Sequence, residues 1–123
     1  MKGEVDHWLA AGFIRKLTED ERVSAPCVSP AFVIWARPDK PRLVIDLRQV
    51  NACLREINFK YEAIAEFIPA LMPRDNLISW GVKDAYHLVY IHPADRPYLT
   101  FTIDGGIFEP LTMPFGLSVA PWA

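Results

Sequence analysis

Two cysteines, Cys27 and Cys53, are too few and too isolated to form a zinc motif. They are either a disulfide pair or two free, partly buried thiols, and free thiols are the usual state of intracellular cysteines. No apolar run is long enough for a signal peptide or a membrane span, so the expected location is the cytosol, the nucleus or an organelle reached by other means. A surplus of positive charge is also missing: the net charge is −2, which excludes a global attraction to nucleic acid and leaves room only for a local site. There is no internal repeat and no low-complexity linker. What is present is enough to build one core, with 51% apolar and 12% aromatic residues in 123.

Val5, Trp8 and Leu9 recur at helical spacing before Gly12, so the pattern predicts a short packing helix over Glu4 to Ala11. Thr18 and Glu21 have capping-box spacing, but no apolar run follows and Pro26 and Pro30 intervene, which reads as loop. Ala31 to Arg37 and Arg42 to Leu47 are rich in β-formers and flank Pro38-Asp39-Lys40-Pro41, a hairpin. Tyr61, Ile64, Phe67, Ile68 and Leu71 share one helical face, which predicts a helix over about Glu62 to Leu71 that packs on a sheet, shortened or kinked at Pro69 and ended by Pro73. Leu77 to Val82 reads as a buried strand and Asp84 to His87 as a tight helical turn. Tyr98 to Ile103 and Ile107 to Leu111, on either side of Asp104-Gly105-Gly106, read as a second hairpin.

Four segments carry chemistry in combination: Arg42-Leu43-Val44-Ile45-Asp46-Leu47-Arg48 with Asn51, Gly81-Val82-Lys83-Asp84-Ala85-Tyr86-His87, Met113-Pro114-Phe115-Gly116-Leu117, and Ala120-Pro121. In this order and at these separations they resemble the fingers and the first half of the palm of a retroelement reverse transcriptase, from about Glu4 to the last residue. Phe115 in place of a polar residue is the form typical of gypsy-like and tyrosine-recombinase (DIRS-like) elements, and His92 to Tyr98 resembles a surface turn of the same elements. The resemblance implies an α+β fold with a fingers hairpin plus a truncated antiparallel palm sheet with packed helices, in a single domain. Residues 1–76 would be fingers and connecting helix, and residues 77–123 a partial palm.

By that resemblance, the backbone amides of Asp84 and Ala85 face a triphosphate, since backbone donors at a turn suit an anion. Arg42, with Arg37 or Lys40, meets the phosphates by forked hydrogen bonding, although three cations at a hairpin are also what a solvated tip carries. Tyr86 is either the bulky residue beneath the incoming sugar or a core aromatic. Phe115 and Gly116 lie under the template-nucleotide pair. His87 reads as a packing or hydrogen-bonding residue, and Asp46 with Arg48 as a structural pair holding the hairpin to the palm.

Such polymerases use two divalent metals held by carboxylates. Gly81 stands where the family carries its first metal aspartate, Asp84 is no substitute from three positions further on, and the paired-aspartate motif is not among these residues. The expectation is therefore a chain with no catalytic residue, no metal ligand and no cofactor of its own, although the family uses Mg²⁺. A sheet lacking its usual cover would expose Phe108, Leu111, Met113, Phe115 and Trp122. That implies self-association or a protein assembly on the uncovered palm face, with nucleic acid a weak partner, unless Trp122 folds back to plug the gap.

Overall fold

A computed structural model describes residues 2–121; Trp122, one of the residues expected to be uncovered or to act as a plug, lies outside them. Helix α1 (Lys2–Ala10) turns Val5 and Trp8 into the core. It stops where Gly12 takes φ +75° and the Phe13 amide donates back to the Trp8 carbonyl at 2.9 Å. Strand β1 (Ile14–Lys16) follows, and then α2 (Glu19–Ser24), which corrects the reading of this region as loop. The capping box decides it: the Glu21 amide donates to Thr18 Oγ1 and the Thr18 amide to Glu21 Oε2 at 2.8 Å. No residue of α2 is buried, so local capping holds this helix without an apolar face.

Strands β2 (Ser29–Arg37) and β3 (Lys40–Ile45) form the expected hairpin, pairing Ala31 with Ile45 and Ile34 with Arg42. Helix α3 (Arg48–Cys53) buries Val50. Strands β4 (Phe101–Ile103) and β5 (Gly106–Pro110) form the second hairpin, joined through Asp104 at φ +50° and Gly105 at φ +76°, the two left-handed positions that a type I′ turn needs.

The sheet runs β1-β5-β4-β2-β3. It is mixed and not wholly antiparallel: Ser29 pairs with Phe101 and Pro30 with Thr102 in a short parallel contact that joins the two hairpins. Leu43, Ile45 and Leu47 from the first hairpin, Phe101, Ile103 and Phe108 from the second, and Val5 and Trp8 from α1 meet in one core. Among the described residues no helix is long and apolar enough to cross a membrane.

Two further expectations are corrected. Leu77 to Val82 is not a strand, and it is exposed, with Ile78 at 87% and Trp80 at 83%. A β-rich run becomes a strand only beside a partner that takes its backbone bonds, and no described strand lies there. The helix expected over Glu62 to Leu71 is reduced to α4 (Ile64–Phe67) and a 3-10 turn at Ile68–Ala70 containing Pro69, and Ile64, Phe67 and Ile68 are exposed and not packed on the sheet. Both thiols are free, Cys27 half-buried and Cys53 exposed, not partly buried as expected.

Candidate functional site

Four separate stretches meet at an open cleft of about 450 Å³: Glu4 and Trp8 of α1, Pro41 to Val44 of β3, Asp84 with His87, and Phe115. Of the residues singled out from sequence, the fold thus brings together Arg42, Asp84 and Phe115. Tyr86 joins them from the side, half-buried against the core, with its ring edge-on to Phe115 at 5.1 Å. Arg37 and Lys40 pair across the hairpin tip, exposed and outside this lining. The lining therefore presents one cation, Arg42, against the two carboxylates Glu4 and Asp84.

Asp84 adopts the left-handed conformation (φ 53°, ψ 42°) and opens the 3-10 turn Ala85–Leu88, with the His87 amide donating to the Asp84 carbonyl at 2.9 Å. The Asp84 and Ala85 amides donate no hydrogen bond among the described residues. His87 is buried, as its packing role requires. Its Nδ1 is hydrogen-bonded with Thr112 Oγ1 at 2.9 Å, and its ring stacks on Phe13 at 4.1 Å and 6°. Burial pushes the imidazole below its ordinary value, against a smaller upward pull from Asp84.

Phe115-Gly116 is held by a residue whose role the sequence reading left blank. Asn51 Nδ2 donates to the Gly116 carbonyl at 2.8 Å, and Asn51 Oδ1 accepts from the Ser118 amide at 2.8 Å. The match of the Arg42, Asp46, Arg48 and Asn51 spacing to the resembled family is the only signal of it. Gly116 sits at φ +94°, and a Cβ there would meet nothing closer than the Ile45 carbonyl at 3.8 Å, so the backbone conformation and not crowding calls for glycine.

Asp46 and Arg48 do pair, with two contacts of 2.8 and 2.7 Å, and the forked guanidinium together with the Arg48 amide lowers the Asp46 carboxyl to about 2. The pair is local and Arg48 is exposed, so it braces the turn into α3, where Asp46 Oδ1 also accepts from the Arg48 amide at 3.2 Å, and does not hold the hairpin to the palm. The expected uncovered face is likewise redrawn. Phe108 and Met113 are buried in the common core and Leu111 is half-buried, with β1 paired along the edge of β5; Phe115 alone of the described members is exposed.

Mg²⁺ takes several oxygen ligands held at fixed positions, whereas Gly81 is exposed and carries no ligand, and no group of three His, Cys, Asp or Glu side chains stands together among the described residues. A slightly larger cleft of about 490 Å³ lies between α1 and the β4–β5 turn and contains none of the candidate nucleotide-binding residues.

The arrangement is a reverse-transcriptase-like fold. The structure superposes on the foamy viral protease-reverse transcriptase solved in complex with dsDNA with a TM-score of 0.74 at 20% identity, covering 98% of this chain and 24% of that one. The native prototype foamy virus protease-reverse transcriptase gives 0.69 at 18%, covering 95% and 15%. In sequence, the chain is similar to retrotransposon polyproteins of Schizosaccharomyces pombe: Tf2-7 and Tf2-8 are each 26% identical over 121 residues, 98% of this chain. The chain spans about 9% of the length of these relatives. No family model matches it.

Proposed function

We propose that this chain derives from the RNA-directed DNA polymerase of a gypsy-like or DIRS-like retroelement and does not itself polymerise. Residues 1–76 then correspond to fingers and connecting helix and residues 77–123 to a partial palm. The observation that carries the reading is Gly81, an open position without a side chain where the resemblance calls for the first metal carboxylate. The chain has no cofactor of its own in this reading, and the Mg²⁺ of the family finds no ligand set here.

What remains is weak recognition of phosphate, and the foamy viral relative solved with dsDNA supports nucleic acid as its source. Arg42 leads at the cleft with the Asp84 and Ala85 amides, Tyr86, Phe115 and Gly116 shape it, and Arg37 and Lys40 add charge from the hairpin tip. Template-directed primer extension with Mg²⁺ or Mn²⁺ tests the reading. The purified chain should extend no primer above a heat-killed control, and neither should Gly81→Asp; extension by the unaltered chain overturns the proposal.

A second reading, a non-catalytic scaffold within a larger assembly, is favoured by one observation. Phe59, Tyr61, Ile64, Phe67, Ile68, Met72, Leu77, Ile78 and Trp80 are all exposed within one stretch of chain, more apolar surface than a soluble monomer usually leaves open. Sedimentation of the isolated chain should show self-association or binding of a hydrophobic dye. A monomer that binds no dye rules this reading out.

A further inference from the structure

His87 touches more aromatic rings than any other residue near the cleft, and those rings belong to different parts of the chain. Trp8 of α1 meets it edge-on at 5.2 Å, Phe13 stacks on it at 4.1 Å, and Phe115 stands at right angles to it at 5.6 Å. Its hydrogen-bond partner, Thr112 Oγ1, lies 3.4 Å from the Phe13 carbonyl, which also accepts from the Leu111 amide at 2.8 Å. The imidazole thus links α1 and the turn after it to the segment leading into Phe115. Glu4 and Trp8 of the same helix form one wall of the cleft. Elsewhere α1 rests on the core through Val5 and Trp8, with Leu9 packed against it.

We propose that His87 is an acid-sensitive latch: in its neutral form the ring holds α1 against the cleft, and protonation releases the helix and opens that wall.

The charged groups around the ring oppose one another. From α1, His7 disfavours a second positive charge while Glu4 lies in the shared cleft; from the turn, Asp84 favours the charge; from β3, Arg42 lines the same cleft. The stack on Phe13 also favours a cation. Burial is the largest influence and acts the other way, because a charged imidazole in this aromatic cage gives up its water. The sign follows from linkage. A histidine depressed in the closed form binds its proton more tightly once α1 has lifted, so opening is unaffected well above the ordinary 6.5 and becomes easier as pH falls below it.

Hydrogen exchange of the full chain tests the latch, with rates converted to protection factors to remove the intrinsic pH effect. Between about pH 7.5 and about pH 5.5, protection of the α1 amides should fall by up to roughly tenfold per pH unit below the ordinary histidine value, while β2 and β3 keep theirs. His87→Phe keeps an aromatic ring in the cage and should abolish the pH dependence; His7→Gln should leave it. Unchanged α1 protection in the native chain, or a pH dependence that survives His87→Phe, overturns the proposal. If His87→Phe does not fold, NMR titration of the native His87 ring decides: a value below 6.5 supports the latch, and one at or above 6.5 removes it.

Discussion

Asn51 and Gly116 are 65 positions apart and joined by one hydrogen bond of 2.8 Å, from the Asn51 side-chain amide to the Gly116 carbonyl. With the return bond from the Ser118 amide to Asn51 Oδ1, the side chain spans the segment that presents Phe115 to the cleft. Asn51→Ala removes both bonds and should cost about 1–2 kcal/mol in chemical denaturation, since each such bond contributes about 1 kcal/mol net. Asn51→Asp keeps the acceptor for Ser118 but sets a carboxylate oxygen against the Gly116 carbonyl, and should cost at least as much.

Two glycines that both have room for a side chain should respond differently. Gly116→Ala is predicted to destabilise by about 1–3 kcal/mol, because a Cβ is strained in the left-handed region it occupies. At Gly81 a Cβ meets nothing within 4 Å and the backbone is not left-handed, so Gly81→Ala should leave the thermal midpoint unchanged or slightly raised. Thermal unfolding of the two variants side by side checks both directions.

Glu109 is buried on β5 and relies on Arg15, whose Nε donates to its Oε1 at 3.0 Å; Arg15 also reaches Glu21 Oε1 at 3.0 Å. The bond to Glu109 is the largest cause of the raised Arg15 guanidinium. Arg15→Met keeps the stem and strands a buried carboxylate, for a cost of about 1–3 kcal/mol. Adding Glu109→Gln to that variant should recover part of the loss, which a double-mutant cycle will show.

Acid should cost stability in a window set by Asp46. Its carboxyl falls from an ordinary 3.8 to about 2 in the fold, so its contribution is fully present above 3.8 and disappears as pH falls towards 2. Asp46→Asn should flatten the denaturation midpoint across that window. Because Arg48 is exposed, high salt should reduce the difference between the two proteins.

Phosphate recognition, if the cleft supplies it, should depend on position and not on the number of cations. Arg42→Ala should weaken binding of a nucleoside triphosphate more than Arg37→Ala, Lys40→Ala or Tyr86→Ala, because Arg42 alone of the cations singled out lines the cleft. Binding should also fall with added salt. Calorimetry that gives equal losses for Arg42 and Lys40 would place the site at the hairpin tip, and an absence of heat at millimolar nucleotide would remove it.

Local chemistry by itself determined the elements whose stabilising partners are close in sequence. The Gly12 stop of α1, the two hairpins with their turns, and the Asp84 to His87 turn were legible for that reason, and the spacing of the Arg42, Asp84 and Phe115 segments pointed to the fold. The capping box of α2 was also written there, in Thr18 and Glu21, but an apolar face was wrongly required of it. Tertiary structure decided whatever depended on a partner. Leu77 to Val82 and the Ile64 to Leu71 face have the residues of a buried strand and a packed helix, yet burial is a property of two surfaces and no described element covers either. The parallel contact of Ser29 with Phe101, the cage around His87 and the clasp of Asn51 on Gly116 are likewise invisible in one dimension. Each joins residues whose separation along the chain carries no local energetic signature, so only the closing of the fold brings them within a bond's reach.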